Sequence, residues 1–301
     1  MEPIKKVAVI GGTHGNEFSG VYLLKKWQLH PEKYNSRDLE ISTLFSNPKA
    51  FEATKRYLDV DLNRQFRADL LADPTLGNYE QSRAKAISLF LGDKDAPKFD
   101  FVLDLHNTTS NMGPCLLLVQ QHPMYNLMAG YVKMKMPEVN ISRDEDHKTR
   151  DEHHLLATMG KFGVIVEVGP QPQGCLRHDV LEWMETLTDH ILDFLELYNK
   201  GELPKLPEQV EAYRFLEELK VPVDSEGHRA GTIHKDREDK DFQPMKKGDP
   251  MYITFDDEVI TYQGEQTVYP TFINEAAYYD NNLGMSISEK VMIDVYSKHK
   301  S

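Results

Sequence analysis

The run Lys6-Val-Ala-Val-Ile10, followed at once by Gly11-Gly-Thr-His-Gly-Asn16 and then by apolar residues at helical spacing from Glu17 to Trp27, constrains this chain more than any other stretch. A short β-branched run closed by glycines reads as a buried strand, the glycine loop as a tight turn, and the segment after it as a helix. The alternation recurs. Leu39 to Phe45, Phe99 to Leu105 and Val164 to Val168 read as strands, and Tyr79 to Leu91 and Val180 to Tyr198 as helices. Strands alternating with helices predict an α/β domain built on a largely parallel sheet.

The stretch Gly201-Glu-Leu-Pro-Lys-Leu-Pro-Glu208 has the glycine, proline and charge of a domain boundary. Beyond it, Met251 to Phe255, Val259 to Tyr262 and Thr267 to Phe272 are short β-prone pieces separated by turns such as Lys247-Gly-Asp-Pro250. We therefore expect residues 1–202 to form the α/β domain and residues 203–301 a smaller β-rich C-terminal domain. Composition narrows the partners. With 48 acidic against 35 basic residues the net charge is -13, the wrong sign for phosphate backbones or anionic membrane surfaces. No run approaches the roughly 18 apolar residues of a membrane-spanning helix. Cys115 and Cys175 stand alone, without a CxxC motif or a disulfide framework, and no secretory segment is evident, so a cytoplasmic chain is expected.

Chemistry concentrates where the strands end. His14 and Glu17 lie three apart between the first strand and its helix, a place where glycines let the backbone bend and where open α/β sheets gather ligands. One imidazole and one carboxylate in a turn suit a borderline-soft cation such as zinc. A third ligand is His106, at the carboxyl end of the strand Phe101-Val-Leu-Asp-Leu-His106, with Asp104 two residues back on the same face and able to orient its ring. Three protein ligands leave a fourth position open for water. Taken singly, each histidine has an ordinary alternative as a hydrogen-bonded or exposed side chain.

Glu167, inside the apolar run Val164-Ile-Val-Glu-Val168, is the candidate general base, because burial raises a carboxyl pKa toward neutrality. An edge-strand glutamate facing solvent is the alternative. Arg56, Asn63 and Arg64 offer a cationic clamp for a carboxylate and an oxyanion, against the alternative of surface ion pairs with Asp59 and Asp61.

Together, the H-x-x-E of His14 and Glu17, Asp104-Leu-His-Asn-Thr-Thr-Ser-Asn-Met-Gly113, Asp61-Leu-Asn-Arg64 and Glu167-Val-Gly-Pro-Gln-Pro-Gln-Gly174 resemble the aspartoacylase and aminoacylase-3 family of the zinc carboxypeptidase-like superfamily. The resemblance runs from Val7 to Asn274-Glu-Ala-Ala-Tyr-Tyr279. It implies a carboxypeptidase-like domain, with a central mixed, largely parallel sheet flanked by helices, capped by the β domain and often dimeric. One zinc ion per chain would be held by His14, Glu17 and His106, with Glu167 as base for a water. Arg56 would polarise the scissile carbonyl, Asn63 and Arg64 would hold the α-carboxylate, and Tyr278 would reach over from the C-terminal domain. The implied reaction is hydrolysis of an N-acyl-L-amino acid, first of all N-acetyl-L-aspartate, with N-acyl aromatic or apolar amino acids as the alternative. A non-catalytic binding module on the same fold is the reading of another class, and the presence of every ligand, base and clamp position argues against it.

One position departs from the family pattern. Where an arginine ten residues before the catalytic Glu grips the aspartate side chain, this chain has Ala157, and a contributing tyrosine four residues earlier is His153. Loss of that charge-assisted contact is worth on the order of 1.5 to 3 kcal/mol. Arg150, His153, His154 and Lys161 lie near enough in sequence to offer a substitute cation.

Overall fold

A computed structural model describes residues 3–144 and 148–297, so the first three positions of the irregular stretch from Glu145 to His154 lie outside the described residues. The chain opens with β1 (Lys6–Gly11), α1 (Phe18–Leu29), α2 (Glu32–Asn35) and β2 (Glu40–Phe45). The short α3 (Pro48–Glu52), a 3-10 turn over Leu62–Arg64 and α4 (Ala68–Ala72) lead to α5 (Tyr79–Leu91). A small ribbon of β3 (Gly92–Asp93) and β4 (Ala96–Pro97) precedes β5 (Phe101–Asn107), β6 (Gly113–Leu118), α6 (Pro123–Lys135) and β7 (Asn140–Arg143). Then come β8 (Phe162–Gly169), α7 (His178–Lys200), β9 (Gln209–Lys220), β10 (Gly231–Ile233) and β11 (Pro250–Thr254). The last strands are β12 (Val259–Thr261), β13 (Tyr269–Thr271) and β14 (Leu283–Asp294), with a 3-10 turn over Ala276–Asn281 between the last two.

Local rules account for the helix ends. α5 starts at a capping box in which Asn78 and Gln81 exchange side-chain and backbone bonds. α7 buries Val180, Met184, Leu187, Ile191 and Leu195, an apolar stripe at steps of three and four, and stops at Gly201, whose φ of 69° is the left-handed conformation that glycine adopts without strain.

Nine strands form one sheet in the order β13-β14-β9-β7-β6-β8-β5-β1-β2. β2, β1, β5 and β8 run parallel, β6 is antiparallel to β8, and β7 and β9 run parallel to β6. Alternation along each strand divides the residues between two cores. On one face Val7, Val9, Leu103, Leu105, Val164 and Val166 pack with α1, α6 and α7 around Leu23, Trp27, Met128 and Leu187. On the other, Ala8, Ile10 and Val102 meet Leu62, Phe66, Ala84 and Ile87. The residues left on this second face at the carboxyl ends of β5 and β8 include His106 and Glu167, which stand side by side in the parallel register.

The β-rich character expected after residue 203 is present, but it is not confined to a separate sheet. Two twelve-residue strands, β9 and β14, pair along almost their whole length and extend the central sheet through β7. A three-stranded sheet, β10-β11-β12, packs beyond them over a core of Val221, Ile233, Met245, Tyr252, Val268 and Met285. The ends of β9 and β14 carry charge on their open face, as in Glu217-Glu-Leu-Lys220, so their period-2 signal is diluted in the sequence. No helix among the described residues is long and apolar enough to cross a membrane.

Candidate active site

The loop after β1 brings the first two candidate ligands in. Gly12 sits at a φ of 71°, open to glycine, and a Cβ on Gly15 would lie 2.1 Å from the carbonyl carbon of Ala50, so the turn needs glycine at both positions flanking Thr13 and His14. That turn aims His14 inward and leaves Glu17 at the N-cap of α1, one residue ahead of the helix expected to begin with it. His14 Nδ1 lies 2.6 Å from Glu17 Oε1, and His106 Nδ1 lies 2.9 Å from Glu17 Oε2. The two Nδ1 atoms are 3.2 Å apart.

Each imidazole is held from behind. His14 Nε2 lies 3.0 Å from Asp61 Oδ1 and His106 Nε2 2.8 Å from Asp104 Oδ2, so the Nε2 atoms donate outward and a neutral ring would keep its Nδ1 lone pair for a metal ion. Asp104 also accepts from Thr13 Oγ1 at 2.7 Å, and the Asn107 backbone N–H donates to Glu17 Oε2 at 3.0 Å. Among the described residues, His14, Glu17 and His106 have ligand atoms all within 4.8 Å of one another. Two Nδ1 atoms 3.2 Å apart match the edge of a tetrahedron of about 3.3 Å around an ion with zinc–nitrogen bonds of about 2.0 to 2.1 Å. The donor set of two imidazoles and one carboxylate therefore fits zinc.

Charge agrees with that fit. Burial works against the charge on Glu17, yet the adjacent imidazoles outweigh it and hold its carboxyl below the usual range. Burial likewise opposes protonation of His106, and Asp104 and Glu17 overcome it, pushing the imidazole well above its ordinary value. Glu17 and Asp61 share the Arg56 guanidinium, and among the described residues Asp104 has no cation beside it other than the His106 ring, so with both imidazoles neutral the cluster carries a net negative charge that a divalent cation would balance. Replacing Asp104 with asparagine is expected to weaken metal affinity by about 10- to 100-fold, since the His106 ring loses its charged partner while the ligand itself stays; competition against a chelator of known affinity measures it.

All eight candidate site residues line one cavity, with Glu167 facing the imidazoles. β8 is an interior strand, paired with β5 on one side and β6 on the other, which removes the edge-strand alternative for Glu167. Its side chain is 8 % exposed and its carboxyl is pushed well above the ordinary value, first by burial and then by the charges of Glu17 and Glu275, with His106 and Arg56 pulling the other way. Arg56 does make an aspartate pair, but inside the site: its Nε and one terminal nitrogen donate to Asp61 Oδ2 at 3.2 and 3.0 Å, and the other nitrogen donates to Glu17 Oε1 at 3.2 Å. Asn63 is 3 % exposed and lines the cavity; it accepts the Leu156 N–H on Oδ1 at 2.8 Å, which leaves its NH2 group as the donor end, 3.4 Å from His106 Nε2. Arg64 and Tyr278 complete the wall, the tyrosine brought in by the 3-10 turn before β14.

Five supporting residues have no strong sequence signal. Asp61 orients His14, pairs with Arg56 and caps the turn carrying Asn63 and Arg64. Glu80, fully buried on α5, accepts the backbone N–H groups of Leu58, Asp59 and Val60 and so fixes the loop leading to Asp61. Glu275 accepts from Thr108 Oγ1 and from the Thr109 N–H, and its other oxygen accepts from Ala277 N–H at 3.0 Å, tying the Tyr278 turn to the end of β5. Gln171 and Asn107 meet at 2.9 Å behind Glu17. The sequence places Asp61 in the DLNR motif, near Arg56 but with no link to His14, and Glu275 in NEAAYY with no partner.

The four substitute cations fare differently. His153 is fully buried, Lys161 pairs with Asp100 at 2.9 Å, and Arg150 donates to the carbonyls of Thr158 and Met159. His154 alone of the four borders the active-site region, in a neighbouring cavity shared with Arg64, Asp144 and Tyr278.

Comparison with known proteins bears on what such a site serves. Residues 3–195 match the model of the succinylglutamate desuccinylase/aspartoacylase catalytic domain, and residues 208–290 that of the AstE/AspA barrel-sandwich hybrid domain. The chain is 41% identical over 299 residues to a human N-acyl-aromatic-L-amino acid amidohydrolase (carboxylate-forming), covering 98% of this chain and 93% of that one. It is 41% identical over 285 residues to the aspartoacylase of Danio rerio, covering 93% and 90%. The crystal structure of murine aminoacylase 3 superposes with a TM-score of 0.90 at 39% identity, over 98% of each chain.

Proposed function

This chain belongs to the succinylglutamate desuccinylase/aspartoacylase family, and from that premise we propose that it hydrolyses an N-acyl-L-amino acid to a carboxylate and the free amino acid, with one zinc ion held by His14, Glu17 and His106. The observation that carries this reading is the convergence of the two Nδ1 atoms and the Glu17 carboxylate at the foot of a cavity whose wall holds Glu167. Zinc bound there supplies a Lewis acid to the acyl carbonyl and lowers the pKa of water.

The chain's own side chains then have distinct tasks. Glu167 takes the proton from the attacking water, whose oxygen joins the acyl carbon, and passes it to the amide nitrogen as the carbon–nitrogen bond breaks. Its raised pKa suits both transfers. Arg56, charged throughout because Asp61 and Glu17 outweigh its burial, donates toward the carbonyl oxygen as negative charge develops there. Asn63 and Arg64 present an amide and a guanidinium to the α-carboxylate. Tyr278 closes the cavity from the C-terminal side. We read residues 1–202 as the catalytic unit, residues 203–301 as the unit that caps it, the assembly as a homodimer and the compartment as the cytoplasm.

Two substrate readings follow, N-acetyl-L-aspartate and an N-acyl aromatic or apolar amino acid, and relatives of both names stand at 41% identity. The cavity walls favour the second. Leu117, Leu155, Ile165 and Phe272 line it together with the carboxyl of Asp144, and among the described residues its guanidinium groups are Arg56 and Arg64, both already assigned. Ala157 is fully buried in an apolar cluster with Cys115 and Ile165. On a panel of N-acetyl amino acids, kcat/KM for N-acetyl-L-phenylalanine should exceed that for N-acetyl-L-aspartate by about 10-fold or more, the size expected for an unpaired buried carboxylate. A reversed ratio returns the substrate to the acidic class. Purified protein with no zinc, and with no amine released from any substrate after zinc is added, leaves only a binding module.

A further inference from the structure

One buried cation takes no part in the reading above. Lys94, in the turn between β3 and β4, is 5 % exposed, and its Nζ donates to three acceptors on a single stretch of chain. These are the carbonyl of Arg150 at 2.5 Å, the carbonyl of His153 at 2.6 Å and Thr158 Oγ1 at 3.0 Å. An ammonium has three donors, and all three are used. Burial and the neighbouring Arg150 guanidinium pull its pKa down to about 7, with Asp151 opposing them. Lys85, Asp93 and Asp95 share the cavity wall beside it. A lysine is rarely buried without bonds that offset its desolvation, so the stretch it holds is the place to look for its use.

That stretch runs directly from Lys94 to the active site. The carbonyl of His153 is held by Lys94, and the next carbonyl, of His154, accepts the Phe66 N–H at 3.1 Å. The Leu155 side chain lines the active-site cavity. The Leu156 N–H then donates to Asn63 Oδ1 at 2.8 Å. Thr158 Oγ1, one of the acceptors for Lys94, itself donates to the Leu155 carbonyl at 2.7 Å, and Arg150 Nε reaches back to the Thr158 carbonyl at 3.3 Å. The stretch is thus tied at both ends to one ammonium group, with its middle pressed against Asn63.

We propose that Lys94 is a positioning residue for substrate binding, fixing residues 149–158 so that Leu156 holds the Asn63 amide by its oxygen, leaving the NH2 group as its donor end, and Leu155 forms the wall against the substrate side chain. The inference rests on the deacylase reading above. An amide whose oxygen is committed to Leu156 can offer only donors to a carboxylate; freed from that bond it can rotate and offer its oxygen, which repels one. None of the three Lys94 bonds goes to His14, Glu17, His106 or Glu167, which sit on the loop after β1, on β5 and on β8. The loss should therefore appear in binding and selectivity rather than in the chemical step.

Lys94→Met keeps the stem and removes the three donors, while Thr158→Val keeps the shape and removes one acceptor. Zinc-loaded wild type and both variants are to be compared by steady-state kinetics on N-acetyl-L-phenylalanine and N-acetyl-L-aspartate and by amide hydrogen exchange. For Lys94→Met the expectation is a KM about 10-fold higher with kcat within about 3-fold, a smaller ratio between the two substrates, and unchanged zinc content. Exchange should accelerate in peptides covering residues 149–158 and not in those covering β1, β5 or β8; Thr158→Val should move the same way by about 3-fold in KM. A folded Lys94→Met with unchanged KM and unchanged exchange in residues 149–158 overturns the proposal, as does a fall in kcat alone or acceleration spread evenly over the chain. If Lys94→Met does not fold, Thr158→Val decides by the same criteria. Wild-type protein that deacylates neither substrate sinks the functional reading separately, and local acceleration of exchange then still upholds Lys94 as the clasp of this stretch while its absence refutes it.

Discussion

Glu167→Gln lowers kcat by about 10²- to 10⁴-fold and leaves zinc bound, the loss typical of removing a general base. The substitution is close to isosteric, and the pairing of β8 with β5 and β6 does not depend on the side chain. The amide cannot accept the water's proton, so attack loses its base while the metal ligands and the clamp remain. The pH profile supplies a second test. Burial, Glu17 and Glu275 raise the Glu167 pKa, and the base form is required, so the acid limb of kcat/KM should lie above the ordinary carboxyl range in the wild type and vanish in the variant. A Glu167→Gln enzyme that retains near-wild-type turnover with zinc bound would falsify the assignment of the base.

Glu17→Gln is expected to weaken zinc binding by more than about 100-fold, beyond the 10- to 100-fold that follows from losing an outer partner such as Asp104. Glu17 is the one anionic ligand of the three, and its two oxygens stand 2.6 and 2.9 Å from the Nδ1 atoms of His14 and His106. A neutral amide is a poor zinc donor and leaves two imidazoles, fewer than the three protein ligands of a catalytic site. The glutamine is a cleaner probe than His106→Ala. That change would strand the fully buried Asp104 without its imidazole, adding a stability cost of about 1 to 3 kcal/mol to the loss of the ligand. Metal analysis of dialysed protein, with a thermal melt to confirm folding, separates the two effects. Full zinc occupancy in Glu17→Gln would require another ligand in its place.

Much of this site is legible in the chain because its pieces are local. The β1–loop–α1 unit puts His14 and Glu17 three residues apart at a turn that only glycine can make, and the period of two along β5 puts Asp104 behind His106 at 2.8 Å. Both are short-range consequences of backbone geometry. The sequence leaves Glu167 between two environments, because alternation says which face a side chain shares and not whether its strand lies at an edge. The clamp is no better fixed, since Arg56 near Asp59 and Asp61, taken alone, reads more readily as a surface ion pair. The structure keeps that ion pair and puts it inside the cavity.

What the amino-acid sequence determined by itself was the alternation of strands and helices, the ligand turn, the histidine on β5 and the set of residues from which base and clamp are drawn. Each follows from steric and periodic rules acting over a few residues. Only the tertiary structure decided that Asp61 orients His14, which it reaches across 47 positions, and that Glu275 holds Thr108, across 167. It also decided that β9 and β14 continue the central sheet, and that the Lys94 ammonium ends against the segment that holds Asn63. Hydrogen bonds between distant segments form only where the packed cores leave two polar groups face to face, and no local pattern encodes that meeting.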